Sequence, residues 1–186
     1  MKTVTLKINQ SKAALATLPA AVQIVLASCI IGICAQIKIP LYFTPVPLTI
    51  TTCVIMLAGA LLGSRKGALA VLCYLAQGWM GLPVFAGGAS GLLHFMGPTG
   101  GYLIGYVVQA FVVGWLLEKK HDKSIVTISG ILLASTCLEM GIGSLWLAQF
   151  VGIESCLKLG FFPFFFIEVV KALAIPTLIK FFNKSN

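Results

Sequence analysis

The sequence has 186 residues, of which 59% are hydrophobic and only 10% are charged, and its mean hydropathy is +1.01. Because a soluble domain carries about 25% charged residues, this chain has too few charged side chains to cover a water-facing surface, and the composition predicts an integral membrane protein. The net charge of +8 does not indicate a nucleic-acid partner, since the basic residues stand singly or in pairs at the ends of apolar runs and form no basic stripe with interleaved aromatic residues.

Six apolar segments follow one another along the chain, most of them near the roughly 20 residues that a transmembrane helix needs. The second and third are short, which indicates tilt or a broken end. Residues 1–18 contain no long apolar core and are expected to form a cytoplasmic tail or an amphipathic lead-in rather than a cleaved signal peptide. We therefore predict one all-α integral membrane domain over residues 1–186, with six transmembrane helices at 19–37, 48–62, 67–80, 100–117, 124–150 and 161–182.

The distribution of lysine and arginine predicts how these helices are oriented. Six spans place both termini on one side, which would then carry Lys2, Lys7, Lys12, Arg65, Lys66, Lys119, Lys120, Lys123, Lys180 and Lys184. The opposite side would carry only Lys38 and Lys158. Because cytoplasmic loops are enriched in basic residues, we expect a multi-pass protein of the cell membrane with both termini in the cytoplasm. The proline-rich loop 38–47 and the glycine-rich segment 81–102 would then both face outside.

Glu168 and Lys171 lie inside the sixth predicted span. They follow the start of that helix by roughly 10 and 15 Å, and their i, i+3 spacing puts them on one helix face within reach of each other. Each charge at the centre of a membrane helix costs roughly 2.5–3.5 kcal/mol, so such residues usually mark a site. We predict a polar pocket at this pair; the alternative is an ion pair that only fixes helix packing.

For three further ionisable residues, the sequence is compatible with more than one role. Glu139, in the fifth span, is expected to face the same cavity, to pair with Lys171, or to bond to a neighbouring helix while protonated. His94, in the glycine-rich segment, fits a packing residue better than a ligand contact. Lys38, near the proline-rich loop, fits either steering of an anionic substrate or capping of the first helix.

The glycine-rich segment is too apolar for a simple solvated linker. Glycine permits positive φ and close approach of the backbone, and irregular backbone at membrane depth occurs where it is buried in protein or lines a cavity. We expect a binding loop in which Phe85, Tyr102 and Trp79 supply apolar walls. Its backbone would serve a ligand directly, including that of Gly87, Gly88, Ala89 and Ser90. The alternative is a flexible outer loop.

No catalytic constellation is recognisable in the sequence. There is no H-E-x-x-H, G-x-S-x-G or Walker A motif, and none of the six cysteines has a C-x-x-C partner. We expect no catalytic residue, no metal site and no cofactor bound by this chain. If uptake needs ATP, another chain must supply it.

Several runs of the sequence resemble the BioY family, the biotin-binding S components of energy-coupling-factor (ECF) transporters. They are PVPLT from Pro45, LPVFAGG from Leu82, GPTGGYL from Gly97, and Pro163-Phe164 followed by Glu168 and Lys171. The resemblance implies a six-helix S-component fold and high-affinity capture of biotin from outside. It also implies partners, namely one transmembrane T component and two cytoplasmic ATPase subunits.

The resemblance further implies which residues form the sites. Glu168 would accept N–H groups of the ligand, Lys171 would orient Glu168 and donate to a ligand oxygen, and Thr49 and Thr51 would belong to the substrate site. Ser28-x-x-x-Gly32 stands where such proteins carry small residues that meet the T component. The same spacing also fits an internal helix contact.

The sequence departs from the family pattern in three respects. Glu168 stands where aspartate is usual, Thr51 stands where glutamine is usual, and Ala89-Ser90 replaces a more polar or glycine-rich sequence. As an S component, the chain would capture biotin or another small vitamin. Two functions other than that of an S component also remain open. One is a proton-coupled carrier that works alone, with Glu139 or Glu168 as the proton site. The other is a small membrane enzyme acting on lipid, against which the missing nucleophile–base pair argues.

Overall fold

The computed structural model describes residues 18–120 and 124–183, with side chains as far as Ile179. Within these residues the chain forms eight helices and two short strands. In chain order they are α1 (Ala20–Ala35), β1 (Lys38–Ile39), β2 (Leu48–Thr49), α2 (Thr51–Leu62), α3 (Ser64–Trp79), α4 (Leu92–Phe95), α5 (Gly100–Lys119), α6 (Ile125–Val151), α7 (Ile153–Gly160) and α8 (Phe162–Asn183).

The six longest helices coincide with the six predicted spans, and their ends agree to within a few residues. Three helical stretches are long and apolar enough to cross a membrane, namely Gly100–Lys119, Ile125–Val151 and Ile153–Ile179. Two more helices, Ala20–Ala35 and Thr51–Leu62, are apolar but shorter. The mostly helical membrane architecture is therefore confirmed, whereas the count of six crossings stays a prediction.

The outer surfaces of the helices carry many large apolar side chains. Ile33 on α1, Leu145 on α6 and Phe166 on α8 are 69%, 70% and 75% exposed. A soluble protein rarely presents so much contiguous apolar surface to water. Contact with lipid accounts for these side chains, as the composition predicted.

Small residues bring α2, α3 and α5 close together. A Cβ at Gly59 in α2 would overlap the backbone carbonyl oxygen of Ala110 in α5, and a Cβ at Gly114 in α5 would overlap the backbone of Ser64. Close backbone approach at small residues is the usual mode of helix association in membranes. These contacts fix the half of the helix bundle that lies away from the loops that form the site.

Two features depart from a purely helical fold. β1 and β2 pair antiparallel as a short hairpin, with Lys38 opposite Thr49 and Ile39 opposite Leu48, and they hold the ends of the proline-rich loop together. The strands contain only two residues each, too few to give a hydropathy pattern in the sequence. In addition, α7 forms a separate helix between α6 and α8, because Gly152 takes a φ of +83° and turns the chain.

Candidate functional site

The ion pair predicted from the i, i+3 spacing is present in α8. Lys171 Nζ lies 2.6 Å from Glu168 Oε1, and both side chains are largely buried. Lys171 also donates to the backbone carbonyl of Thr49 at 2.7 Å and to Thr52 Oγ1 at 3.0 Å. A lysine ammonium has three protons to donate, so these three acceptors use all of them. In this arrangement Lys171 has no proton left for a ligand, contrary to the expectation that it donates to one.

Glu168 is held differently at its two carboxylate oxygens. Oε1 accepts from Lys171 and from the Thr52 hydroxyl, the latter at 3.0 Å. Oε2 is buried and has no hydrogen-bond partner among the residues that the structure describes. Leaving a buried acceptor without a hydrogen bond costs about 1–3 kcal/mol of stability, and more when the acceptor is charged. Oε2 is therefore available to accept a hydrogen bond from an N–H or O–H donor.

Glu168 opens onto a cavity of about 640 Å³, counting the space at its mouth. Most of the wall is apolar or aromatic, with a few polar groups. The lining residues are Ala35, Val46, Pro47, Leu48, Thr49, Thr51, Thr52, Tyr74, Ala86, His94, Thr99, Tyr102, Leu103, Tyr106, Glu139, Met140, Phe164 and Glu168.

The structure brings some predicted site residues to this cavity and leaves others outside it. Thr49, Thr51, Tyr102 and Glu168 line the wall. The predicted residues that do not line it are Lys171, Trp79, Phe85, Gly87, Gly88, Ala89 and Ser90. Lys171 nevertheless acts on the wall through Glu168. In the first part of the glycine-rich segment, residues 81–91, called here the glycine-rich loop, Ala86 reaches the cavity.

Phe85 anchors the glycine-rich loop instead of lining the cavity. Its side chain is fully buried, packs edge-to-face on Tyr74 with ring centroids 5.6 Å apart, and stacks on His94 at 5.4 Å. Gly78 in α3 leaves the space for this ring, because a Cβ there would overlap it. Gln36 Nε2 secures the same loop by donating to the carbonyl oxygen of Phe85 at 3.3 Å.

The GPTGGY run forms the start of α5 and fixes it against α6. Trp146 Nε1 donates to the carbonyl oxygen of Gly97 at 3.0 Å, and a Cβ at Gly101 would overlap the Trp146 side chain. Tyr102 donates its hydroxyl to the carbonyl oxygen of Gly160 at 2.8 Å, with its ring packed against Gly143. The glycines are therefore needed for close packing, and this packing presents Tyr102 to the cavity.

Sequence reasoning missed several residues of the cavity wall. Thr52, which bridges Glu168 and Lys171, carried a usable signal, because it lies next to Thr51 at the start of a helix. Tyr106 is one helical turn beyond Tyr102 and shares its face. Phe164 stands in the Pro163-Phe164 run that resembles the family, whereas Met140 looks like an ordinary apolar residue of a span, and nothing in the sequence separates it from lipid-facing ones.

The two predicted docking residues face inward. Ser28 is fully buried and accepts a hydrogen bond from Gln77 Nε2 at 3.1 Å. A Cβ at Gly32 would lie 3.3 Å from the Val84 side chain. In this arrangement Ser28-x-x-x-Gly32 makes the internal contact that its spacing also allowed, between α1, α3 and the glycine-rich loop.

Glu139 and His94 are two further ionisable groups at the cavity. Glu139 is 2% exposed and makes no hydrogen bond or ion pair with the residues that the structure describes. His94 is half-buried, and burial lowers the pKa of its imidazole below the usual 6.5; the positive charge of Lys38 lowers this pKa further. His94 is therefore neutral near pH 7, and the cavity wall contains both a neutral imidazole and an unpaired acid.

The sequence is similar to a family model and to known proteins over most of its length. The family model described as the BioY family matches residues 7–185. The Biotin transporter BioY2 of Lactococcus lactis is 36% identical over 154 residues, covering 82% of this chain and 83% of that protein. The Biotin transporter BioY of Thermotoga maritima is 39% identical over 146 residues, covering 78% and 83%.

A solved structure is also similar. It is the crystal structure of the S-component for biotin from an ECF-type ABC transporter, with a TM-score of 0.77 and 28% sequence identity. The match covers 89% of this chain and 90% of that one. The similarity therefore extends over nearly the whole length of both chains.

Proposed function

Because the chain belongs to the BioY family, we propose that it captures biotin outside the membrane, as the S component of an ECF-type transporter. The observation that locates the proposed biotin site is Glu168 Oε2, a buried acceptor at the cavity without a partner among the described residues. Biotin contains a ureido group with two N–H donors. A carboxylate oxygen fixed in an apolar wall is a fitting acceptor for such a donor.

Lys171 and Thr52 have a positioning role in this proposal. They hold Oε1 of Glu168 by two hydrogen bonds, so the carboxylate cannot rotate freely and Oε2 keeps its direction. A side chain that is already ordered loses less conformational entropy when the ligand binds. Because Lys171 also compensates the charge of Glu168, the site can keep an anionic acceptor at membrane depth.

The other predicted substrate residues keep proposed roles of two kinds. Thr49, Thr51 and Tyr102 would contact the ligand from the wall, with Tyr102 covering its apolar ring system. The glycine-rich loop would act mainly through its shape, with Phe85 as its anchor. The loop residues without wall contacts, Gly87, Gly88, Ala89 and Ser90, would set the position of Ala86.

The membrane arrangement and the partners follow from the same proposal. We expect six transmembrane helices, both termini in the cytoplasm, and a complex with one T component and two ATPase subunits that use ATP. Docking of the T component on Ser28 and Gly32 would require α1 to expose the face that it now packs on α3. The family consists of transporter components, so the chain is not an enzyme acting on lipid.

A single observation supports a second candidate, transport by proton coupling without partners. Glu139 lines the cavity and forms no ion pair among the described residues, which is a common property of proton sites in membrane transporters. Uptake of labelled biotin into cells with a collapsed proton gradient but normal ATP separates the two candidates. An S component that depends on ATPases keeps its uptake, whereas a proton-coupled carrier loses it.

Equilibrium binding of labelled biotin to the purified protein tests the main proposal. We expect saturable one-to-one binding that Glu168→Gln weakens at least tenfold, or about 1.4 kcal/mol. The matched control is Glu154→Gln, which changes an exposed acid at the start of α7 and should leave binding unchanged. Absence of binding by a folded wild-type protein would overturn the proposal.

A further inference from the structure

His94 gives the cavity a second polar group on a different element from Glu168. It lies in α4, and its ring lines the cavity wall while one face stacks on Phe85. No residue in the described part of the chain forms a hydrogen bond with either ring nitrogen. A half-buried imidazole held by stacking alone has donor and acceptor capacity left for a ligand.

Lys38 lies in the hairpin opposite Thr49, a residue of the cavity wall. It belongs to β1, and the end of its side chain crosses Gly87, where a Cβ would overlap the ammonium group. Its positive charge lowers the pKa of the His94 imidazole. The one ion pair in the described residues joins Glu168 and Lys171, so no described acid neutralises Lys38.

The charges around the cavity are therefore unevenly distributed. Glu168, in α8, and Glu139, in α6, place both acids of the wall on the later helices. Lys38 and His94 supply basic groups from the hairpin and the glycine-rich segment. Because Lys171 already compensates the charge of Glu168, this distribution favours an anionic ligand whose charged end lies at Lys38 and His94.

We propose that Lys38 and His94 form a subsite for the carboxylate tail of the ligand, opposite the Glu168 acceptor that takes its ureido end. The inference rests on the proposed function, because it takes the ligand to be biotin. The subsite would fix the orientation of biotin in the cavity. It would also make the site selective for the free acid over its neutral derivatives. Lys38 supplies the charge, and His94 supplies a hydrogen bond.

The subsite makes binding depend on pH with a defined sign. His94 is neutral in the free protein near pH 7, because burial and Lys38 lower its pKa. A carboxylate beside the ring opposes both effects, so binding of the acid takes up a proton. Affinity should rise as pH falls from about 8 to about 6, by at most tenfold per pH unit for one proton. The ligand's carboxyl group stays ionised over this range, since carboxyl pKa values lie near about 4.

Other titratable groups also face the ring across the cavity, so the pH effect has to be assigned to His94. They are Lys38 from β1, Tyr74 from α3, Tyr102 and Tyr106 from α5, Glu139 from α6 and Glu168 from α8. Of these, Glu139 is the one whose titration near neutral pH would produce a similar profile. Glu139→Gln removes that possibility and leaves His94 in place.

The experiment measures equilibrium binding of biotin and of biotin amide, in which a neutral amide replaces the carboxylate. The proteins are the wild type, Lys38→Gln, His94→Gln, Glu139→Gln and the control Lys158→Gln, which changes an exposed lysine in α7. Thermal unfolding of each protein verifies that it is folded. We expect Lys38→Gln to weaken biotin binding by about threefold to fivefold, the scale of a partly exposed ion pair, with no effect on the amide.

The expected pH profile completes the test. Biotin binding by the wild type and by Glu139→Gln should tighten towards pH 6, whereas His94→Gln should give a flat profile, and the amide should give flat profiles with all proteins. Equal losses for biotin and the amide in Lys38→Gln and His94→Gln would overturn the subsite and keep the proposed function. Failure of the folded wild type to bind either compound would overturn both.

Discussion

Lys171 Nζ lies 2.7 Å from the backbone carbonyl oxygen of Thr49 and so joins α8 to the hairpin of β1 and β2 across 122 residues of sequence. Thr49 is also part of the cavity wall. The same ammonium compensates Glu168 within α8. One side chain therefore sets both the charge of the acceptor and the position of the loop above it.

Lys171→Met should damage stability and binding together. Methionine is similar in length but leaves Glu168, which is only 5% exposed, without a counter-charge. Breaking a buried pair by removing one partner costs about 3–5 kcal/mol, so the thermal unfolding midpoint in detergent should fall sharply. Biotin affinity should fall at least about tenfold, because Glu168 Oε2 loses its fixed direction.

The double variant Lys171→Met/Glu168→Gln separates the two effects. It contains no buried charge at this position, so most of the lost stability should return. Binding should stay weak, because a neutral amide replaces the anionic acceptor. Recovery of full affinity in the double variant would contradict the role of Glu168 as the ureido acceptor.

The sequence predicts the helices well, because each of the six longest coincides with an apolar segment whose ends are marked by charge, proline or glycine. It also predicts the Glu168–Lys171 contact, since an i, i+3 pair on one helix depends on helix geometry alone. It does not predict the other partners of Lys171. Thr49 and Thr52 are more than a hundred residues away, and their approach depends on how α2 packs near α8.

The sequence also does not predict the direction in which a side chain points from a loop or from an apolar helix. Phe85 and Tyr102 were both predicted to be walls of the cavity, yet Phe85 is buried because Gly78 leaves space for its ring. Ser28 and Gly32 mark a close helix contact correctly, but small residues do not indicate which neighbour they meet. Both questions are decided by tertiary packing, which a pattern of residue types does not contain.

Glu139→Gln tests the acid whose role the sequence left open. Its carboxyl group lines the cavity and takes no part in the described hydrogen bonds around Glu168. Since glutamine has nearly the same shape and no charge, stability should not fall and biotin affinity at pH 7 should stay within about threefold, a change below 1 kcal/mol. Binding and thermal unfolding of the purified variant measure both.

The comparison for Glu139 is Glu168→Gln, an identical chemical change in the same cavity that should weaken binding strongly. A loss of tenfold or more in Glu139→Gln would instead make Glu139 a direct contact of the ligand. If uptake by this variant also stopped responding to the proton gradient, the proton-coupled carrier would become the better description.

A pair of glycine substitutions in α6 tests how the GPTGGY segment is held. A Cβ at Gly143 would overlap the ring of Tyr102, whereas a Cβ at Gly141, two residues earlier, has no neighbouring atom within 4 Å. Gly143→Ala should therefore lower the free energy of unfolding by about 1–3 kcal/mol, as overpacking does. It should also weaken biotin binding, since Tyr102 would move in the cavity wall. Gly141→Ala should leave binding unchanged and raise helix stability by up to about 1 kcal/mol.

Thermal unfolding midpoints and biotin titrations of the two purified variants measure these effects side by side. The two changes are chemically identical and lie in the same helix, so any general effect of alanine on α6 cancels in the comparison. Equal behaviour of the two variants would show that Tyr102 does not depend on the space at Gly143. Its hydroxyl contact with Gly160 would then be sufficient to present the ring to the ligand.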